Sequence, residues 1–311
     1  MHDLIIIGAG PAGLAAAAYA LGKQLDVVLV CGSFGGKAEQ RQQLGDQVGR
    51  EHVVGEEAFA ALRQTVAAHP KRIVEDFVVG LFKRDELFHV LTERVTMHAP
   101  AVIVASGAQP ARLSIPNEQQ LVGRGLGYSI TTHAHLAAGR QVAVVGSTAR
   151  AVRGVAELVQ IAESVVLIAP YPGQLQGLLG QRLCADRRIH ILEGYTVIDI
   201  EVIDGAVHAI VIARDNAVRR LPVQAVFADL GLVPNTDIVR QLVRLDQHGF
   251  IVVDDRNQTS RPGLFAAGDV TSAICEQILI AIGEGARAAQ GAYDYILGQR
   301  LGLEGKVLGT L

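Results

Sequence analysis

A chain of 311 residues, half of them hydrophobic and 34 of them glycine, is long enough for two domains and has the composition of α/β proteins rich in tight strand–helix turns. A formal net charge of −3 leaves no electrostatic footprint for nucleic acid, and no apolar run is long enough to span a membrane. Cys31, Cys184 and Cys275 stand singly without a C-x-x-C, which excludes a disulfide framework and a cysteine-based zinc site.

The first predicted element, Leu4 to Ile7, is a short apolar strand starting so early that no room remains for a signal peptide, so a cytoplasmic protein is expected. The strand stops at Gly8-Ala9-Gly10-Pro11-Ala12-Gly13, and Leu14 to Ala20 continues as a helix of small residues. In such a G-x-G-x-x-G turn Gly8 makes the tight bend and Gly10 lets backbone approach a pyrophosphate. Gly13 lets the helix lie close to the strand. Free N–H groups and the positive end of the helix dipole then face the diphosphate. The second strand, Asp26 to Val30, ends in Cys31-Gly32-Ser33 rather than in the acid that an NAD ribose requires.

Next comes a loop, Gly32 to Lys37, in which Gly35 and Gly36 permit close backbone approach to a ligand. Gln40 to Val54 is polar and irregular, and Gly55 to His69 has helical spacing. Arg72 to Val79 and Leu87 to Thr92 read as antiparallel strands around a charged turn. Ala101 to Ala105 is an apolar strand running into Ser106-Gly107-Ala108, a second glycine turn at a strand's C-terminal end, where ligands bind in open α/β sheets.

Pro110 to Gly127 is loop-like. A fresh strand, Gln141 to Val145, then ends at Gly146, followed by a helix over Ala149 to Ala162 and a strand over Val165 to Ala169. This second βαβ unit repeats the design of the first. Ile189 to Val202 and Ala206 to Ala213 read as a hairpin, and Ala225 to Leu230 as a strand. Gly263 to Asp269 is a short strand closing on Gly268-Asp269, ahead of an Ala- and Gly-rich helix over Gln277 to Gly298.

With these pieces in order, the chain resembles the low-molecular-weight thioredoxin reductases along almost its whole length. The resemblance rests on the first glycine turn, Gly35-Gly36, Ala105-Ser106-Gly107-Ala108, Pro234-Asn235-Thr236 and Gly263 to Val270. It implies an α/β fold of two Rossmann-like dinucleotide-binding domains, the second inserted into the first. Residues 1–113 with 238–311 would bind FAD, and 114–237 would form an NAD(P)H-binding-like domain. It also implies a homodimer. For FAD it implies Gly8, Gly10, Pro11, Ala12 and Gly13 at the pyrophosphate, with Gly35, Gly36, Ser106 and Gly107 lining the site. Gly268 and Asp269 would meet a ribityl or phosphate-proximal hydroxyl. Gln277 and Ile278 would aim backbone N–H at the flavin pyrimidine edge, where they stabilise negative charge.

The chain departs from that family at two places. Where the resemblance places the redox Cys-x-x-Cys-Asp stands Ser129-Ile130-Thr131-Thr132-His133, whose hydroxyls cannot form a disulfide. The nicotinamide turn reads Gly146-Ser147-Thr148-Ala149-Arg150-Ala151, with Thr148 in place of the glycine that admits the pyrophosphate. Ala169-Pro170-Tyr171-Pro172 offers no cation for a 2′-phosphate. The central domain is therefore expected to be degenerate.

His133, at the position of the family's proton-donating aspartate, reads as an acid–base candidate or as a plain surface histidine. Cys275 reads as a redox thiol near the flavin or as a small buried hydrophobe. Arg150 and Arg153 read as an anion site or as solvated charges, and Tyr128 as a stacking platform. The leading expectation is an FAD-dependent oxidoreductase that exchanges electrons directly with a ferredoxin-like protein or a small molecule. A flavin-binding sensor or assembly protein without turnover, and an NADPH-dependent ferredoxin or flavodoxin reductase, are the alternatives.

Overall fold

The computed structural model describes residues 1–39, 54–171, 173–272 and 276–303. Cys275, Pro172, the polar stretch before Val54 and the tail beyond Leu303 lie outside the described residues. The chain divides into two compact units. Among the described residues the first takes Met1–Glu39, Val54–Gln109 and the chain from Val233 onward, and the second takes Pro110–Leu232.

The first unit begins with β1 (Leu4–Ala9), whose continuous apolar run is buried because the strand is covered on both faces. Helix α1 (Pro11–Gly22) starts on proline, which needs no N–H at that position, and buries its alanines. Next come β2 (Val27–Phe34), α2 (Glu56–Ala67) and β3 (Ile73–Glu75). An antiparallel sheet follows, made of β4 (Val78–Arg84), β5 (Leu87–Thr92) and β6 (Thr96–Ala99). The chain returns to the main sheet in β7 (Ala101–Val104) and leaves the unit along β8 (Ala108–Pro110).

Two strand boundaries differ from expectation. β2 runs on to Phe34 because the register shifts after Ile7 and Ala9 pairs with Phe34, so Gly32 and Ser33 are strand rather than loop. The run predicted as one strand from Arg72 breaks at buried Asp76, whose carboxylate accepts the N–H groups of Phe77 (2.9 Å) and Arg94 (3.1 Å). β3 therefore pairs parallel with β2, and β4 alone pairs antiparallel with β5.

The second unit holds α3 (Glu118–Leu121), β9 (Leu126–Gly127), α4 (Ile130–His133), β10 (Gln141–Val145) and α5 (Ala149–Leu158). It continues through β11 (Ser164–Ala169), α6 (Leu178–Cys184) and β12 (Ile189–Glu193). A three-stranded antiparallel sheet of β13 (Thr196–Ile203), β14 (Ala206–Arg214) and β15 (Ala217–Pro222) precedes β16 (Ala225–Ala228). β17 (Leu232–Pro234) carries the chain back. The predicted strand from Ile189 to Val202 is split at Gly194 (φ +75°), which frees β12 to pair parallel with β11. The expected loop from Pro110 contains α3 and β9, anchored where buried Glu118 accepts the N–H groups of Leu113 and Ser114, both at 2.9 Å.

Strand β18 (Leu264–Ala266) and the 23-residue helix α7 (Ile278–Arg300) complete the first unit. Its parallel sheet has the order β18-β7-β1-β2-β3, and the second unit's has β12-β11-β10-β16-β9. Each βαβ start lies at the centre of its sheet, so the repeat read in the sequence is a repeat of two Rossmann-like units.

Candidate functional site

All strands of a parallel sheet end on the same edge, where ligands bind. Four neighbouring strands of the first unit release the segments singled out above on that edge. β1 ends in Gly8–Gly13, β2 in Gly35–Gly36, β7 in Ser106–Gly107 and β18 in Gly268–Asp269.

The segments are also in close contact. Gly8 has φ +107°, and a Cβ there would stand 2.2 Å from the Ala105 carbonyl oxygen. A Cβ on Gly13 would stand 1.8 Å from the Gly8 carbonyl, one on Gly36 3.3 Å from the Gly10 Cα, and one on Gly268 2.9 Å from the Ala12 Cβ. Gly35 donates its N–H to Ala9 at 2.9 Å. Packing alone requires Gly8 and Gly13, and positive φ favours glycine at Gly35 (+106°) and Gly36 (+61°).

Gly10 is the exception. It caps α1 in extended backbone with no side-chain cap, beside Pro11, and a Cβ on it would meet nothing within 4 Å. The first turn of α1 thus faces open space with its dipole unanswered by a capping side chain, a cradle that fits a diphosphate.

Ser106 and Asn235 clasp the exit from β7. The Ser106 hydroxyl donates to the Asn235 carbonyl (2.8 Å), the Asn235 amide donates to the Ser106 carbonyl (2.7 Å), and the Asn235 N–H donates to Gly107 (2.9 Å). Ser106 therefore holds the turn in shape. Helix α7 begins at Ile278 with Gln277 as an extended N-cap making no side-chain cap bond. It lies close on α1, since a Cβ on Gly285 would stand 2.0 Å from the Ala12 carbonyl oxygen.

Asp269 is paired, which its sequence context did not indicate. The Lys37 ammonium lies 2.7 Å from Asp269 Oδ2 and 2.5 Å from Glu276 Oε1. Burial draws the Lys37 pKa down, but attraction and hydrogen bonds from both carboxylates outweigh it, and the net shift is upward. Beside this pair, Glu284 accepts the Gly268 N–H at 2.7 Å and the Thr271 hydroxyl at 3.4 Å. Burial pushes its carboxyl above the usual range. Lys37, Glu276 and Glu284 were missed in the sequence. Their only signals there are charges directly after Gly36, directly before the α7 cap, and inside the helix's Ala/Gly face.

In the second unit Gly146 repeats the tight bend, with φ +144° and a Cβ position 2.0 Å from the Asp229 carbonyl oxygen. Here the helix start is filled by the chain's own side chains. Thr148 caps α5 by accepting the Ala151 N–H at 3.0 Å. Arg150 turns back onto Asp229, with Nε at 2.9 Å from both carboxylate oxygens and Nη2 at 2.8 Å from Oδ1. Asp229 is buried. The anion-site reading of Arg150 thus meets a carboxylate already bound to it, and Arg153 lies 3.7 Å from Glu157.

In the stretch from Ser129 to His133, the Ser129 hydroxyl donates to Thr132 Oγ1 at 2.9 Å. His133 Nδ1 lies 3.2 Å from the Ser129 carbonyl; burial lowers its pKa. Tyr128 is engaged by Glu118 through its hydroxyl and by Arg112 over its ring at 5.0 Å, so it is no open stacking platform. Cys31 is buried and its thiol is pushed up to about 11, the state of an inert core cysteine. Cys184 ends α6 exposed, and Cys275 lies outside the described residues. Among the described residues no cluster of His, Cys, Asp and Glu can hold a metal, and no helix is long and apolar enough to cross a membrane.

The sequence pattern of the pyridine nucleotide-disulphide oxidoreductase family matches residues 2–285. One component of the alkyl hydroperoxide reductase of Staphylococcus aureus is 31% identical over 310 residues, which cover 95% of this chain and 59% of that protein. NADH dehydrogenase of Bacillus subtilis is 28% identical over 299 residues, covering 95% of this chain and 58% of that protein. The chain thus spans less than two thirds of the length of the curated relatives it matches. Among solved structures, thioredoxin reductase from Streptococcus pyogenes superimposes with a TM-score of 0.85 at 30% identity, covering 96% of this chain and 99% of that one. The Lactococcus lactis thioredoxin reductase in its FR conformation gives 0.63 at 26%, with the same coverage.

Proposed function

The chain belongs to the pyridine nucleotide-disulphide oxidoreductase family, and on that premise we propose that it is an FAD-dependent oxidoreductase that trades electrons directly with an external partner, without pyridine nucleotide and without a dithiol relay. The first unit is its FAD domain and the second a degenerate nucleotide domain. The partner is a ferredoxin-like protein or a small molecule, and the enzyme works as a homodimer.

The open first turn of α1 beside the filled first turn of α5 carries this reading. Gly10 and the N-terminus of α1 would hold the diphosphate. Asp269 would accept a ribityl or phosphate-proximal hydroxyl, and the backbone N–H groups at Gln277 and Ile278 would face the pyrimidine edge. FAD bound there supplies a ring that accepts and releases electrons. In the second unit Thr148 occupies an N–H that a pyrophosphate needs, and Arg150 is held by Asp229. At the relay position Ser129 and Thr132 keep only a hydrogen bond. His133, whose Nδ1 lies 3.2 Å from the Ser129 carbonyl, would be the proton carrier.

The test is an anaerobic visible spectrum of purified protein titrated with NADPH, NADH and then dithionite. A yellow protein bleached by dithionite alone supports the proposal. Bleaching by NADPH would return the reading to an NADPH-dependent ferredoxin or flavodoxin reductase. A protein that takes up no FAD would overturn it.

A further inference from the structure

The first unit's sheet edge carries a charge arrangement that the glycine turns do not explain. Lys37 lies just beyond β2, Asp269 just beyond β18, and Glu276 just ahead of α7. Two stretches of chain on either side of a long separation, 239 positions between Lys37 and Glu276, meet at one ammonium, at 2.7 and 2.5 Å. The side chains are 28%, 17% and 17% exposed, so the contacts are shielded well beyond an ordinary surface pair.

We propose that Lys37 is a positioning residue of the FAD site, a cationic clasp that holds Asp269 and the start of α7 in the geometry that receives the cofactor. The inference rests on the FAD reading above and deepens it. Lys37 takes Asp269 Oδ2, which leaves Oδ1 as the acceptor for a ligand hydroxyl. By drawing Glu276 to the same point, it fixes the residue directly before the Gln277 cap, and so fixes where the free N–H groups of α7 aim.

Charge balance gives the clasp a second effect. Asp269, Glu276 and Glu284 place three carboxyl groups around the Gly268 turn. A dinucleotide brings a diphosphate, and the flavin ring gains negative charge on reduction. Without the ammonium, Asp269 and Glu276 would repel each other and the ligand. Lys37 stays protonated throughout the physiological range, because the two carboxylates more than offset the cost of its burial.

The experiment compares wild type, Lys37→Met, Lys37→Gln and Lys37→Arg. The FAD dissociation constant is measured on flavin-stripped protein and the flavin midpoint potential on reconstituted protein. Lys37→Met and Lys37→Gln should weaken FAD about tenfold, about 1.4 kcal/mol, and lower the midpoint potential. Lys37→Arg should restore both toward wild type, because charge rather than bulk is what the two carboxylates require. Two uncharged variants are used so that misfolding of one leaves the other informative. Wild-type affinity and potential in the uncharged variants would overturn the clasp while leaving the FAD reading intact. Equal loss in Lys37→Arg would also overturn it, since shape rather than charge would then be at stake. A wild-type protein that binds no FAD would remove the FAD reading and the clasp with it.

Discussion

The two glycine turns share one backbone device and use it differently. Gly8 and Gly146 both adopt positive φ, and at both a Cβ would run into the carbonyl of the neighbouring strand's end, Ala105 or Asp229. That glycine joins a central strand to its helix and is needed whether or not a ligand binds. The next position separates the turns. Gly10 leaves the start of α1 open, whereas Thr148 caps α5 itself. The positions after that follow suit. Ala12 is packed under α7 where Arg150 reaches Asp229, and Gly13 touches the Gly8 carbonyl where Ala151 sits 3.3 Å from the Gly146 Cβ position. One turn geometry thus serves a helix start left uncapped and a helix start capped by its own side chain.

The contrast can be broken most forcefully at its tightest contact. Gly13→Ala would put a Cβ 1.8 Å from the Gly8 carbonyl. It should cost about 3 kcal/mol and abolish flavin retention, read from urea denaturation and the visible absorbance of purified protein. Ala151→Gly, the reciprocal change, should cost only about 1 kcal/mol. Equal costs would show that the two helices meet their strands in the same way.

Arg150→Ala should be the next largest effect. It strands buried Asp229 and should cost about 2 kcal/mol, below the figure for a fully buried pair because Arg150 is partly solvated. Unchanged urea stability would mean that the pair does not hold the second turn.

A finer test exchanges stability for binding at matched positions. Thr148→Ala removes a cap and should cost about 1 kcal/mol. Gly10→Ala has extended backbone and free space for its methyl, so stability should hold while the FAD dissociation constant rises about tenfold. A Gly10→Ala protein with wild-type FAD affinity would count against a diphosphate at that helix start.

The smallest effect lies in pH. Glu284 has its folded pKa raised by burial above the ordinary 4.5. The unfolded chain releases this proton first as pH rises. The stability tied to the protonated form is therefore fully present below about pH 4.5 and is lost as pH climbs through the raised folded value. Glu284→Gln should remove that decline in thermal midpoints measured from pH 4.5 to 7. Parallel profiles for wild type and variant would remove Glu284 from the balance.

Much of the framework was readable because its causes are local. The turn from Gly8 to Gly13 needs backbone states and close approaches that glycine alone supplies, and the apolar runs of β1, β7 and β10 can only be buried strands. The absence of any C-x-x-C was equally plain, since the three cysteines stand far apart in the chain. Boundaries were harder where a tertiary contact overrode pattern. Asp76 cut one predicted strand, Gly194 cut another, and β2 gained Cys31 to Phe34 from a register shift against β1.

Within the candidate site, the glycine turns that gather at one sheet edge were legible, while the ion-pair partners of Asp269 were not. Lys37 and Glu276 look in sequence like ordinary loop charges; they lie 239 positions apart, and sheet order alone brings them together. Arg150 looked like a free cation until Asp229, 79 residues on, was placed at the end of β16 beside β10.

The amino-acid sequence alone determined two Rossmann-like glycine turns that differ at their second glycine position, and the absence of any C-x-x-C, because each depends on residue types within a few positions of one another. Only the tertiary structure decided which charges answer which, namely Lys37 to Asp269 and Glu276, and Arg150 to Asp229. Those pairings act through space across strand ends, and a parallel sheet makes neighbours of segments that the chain keeps far apart.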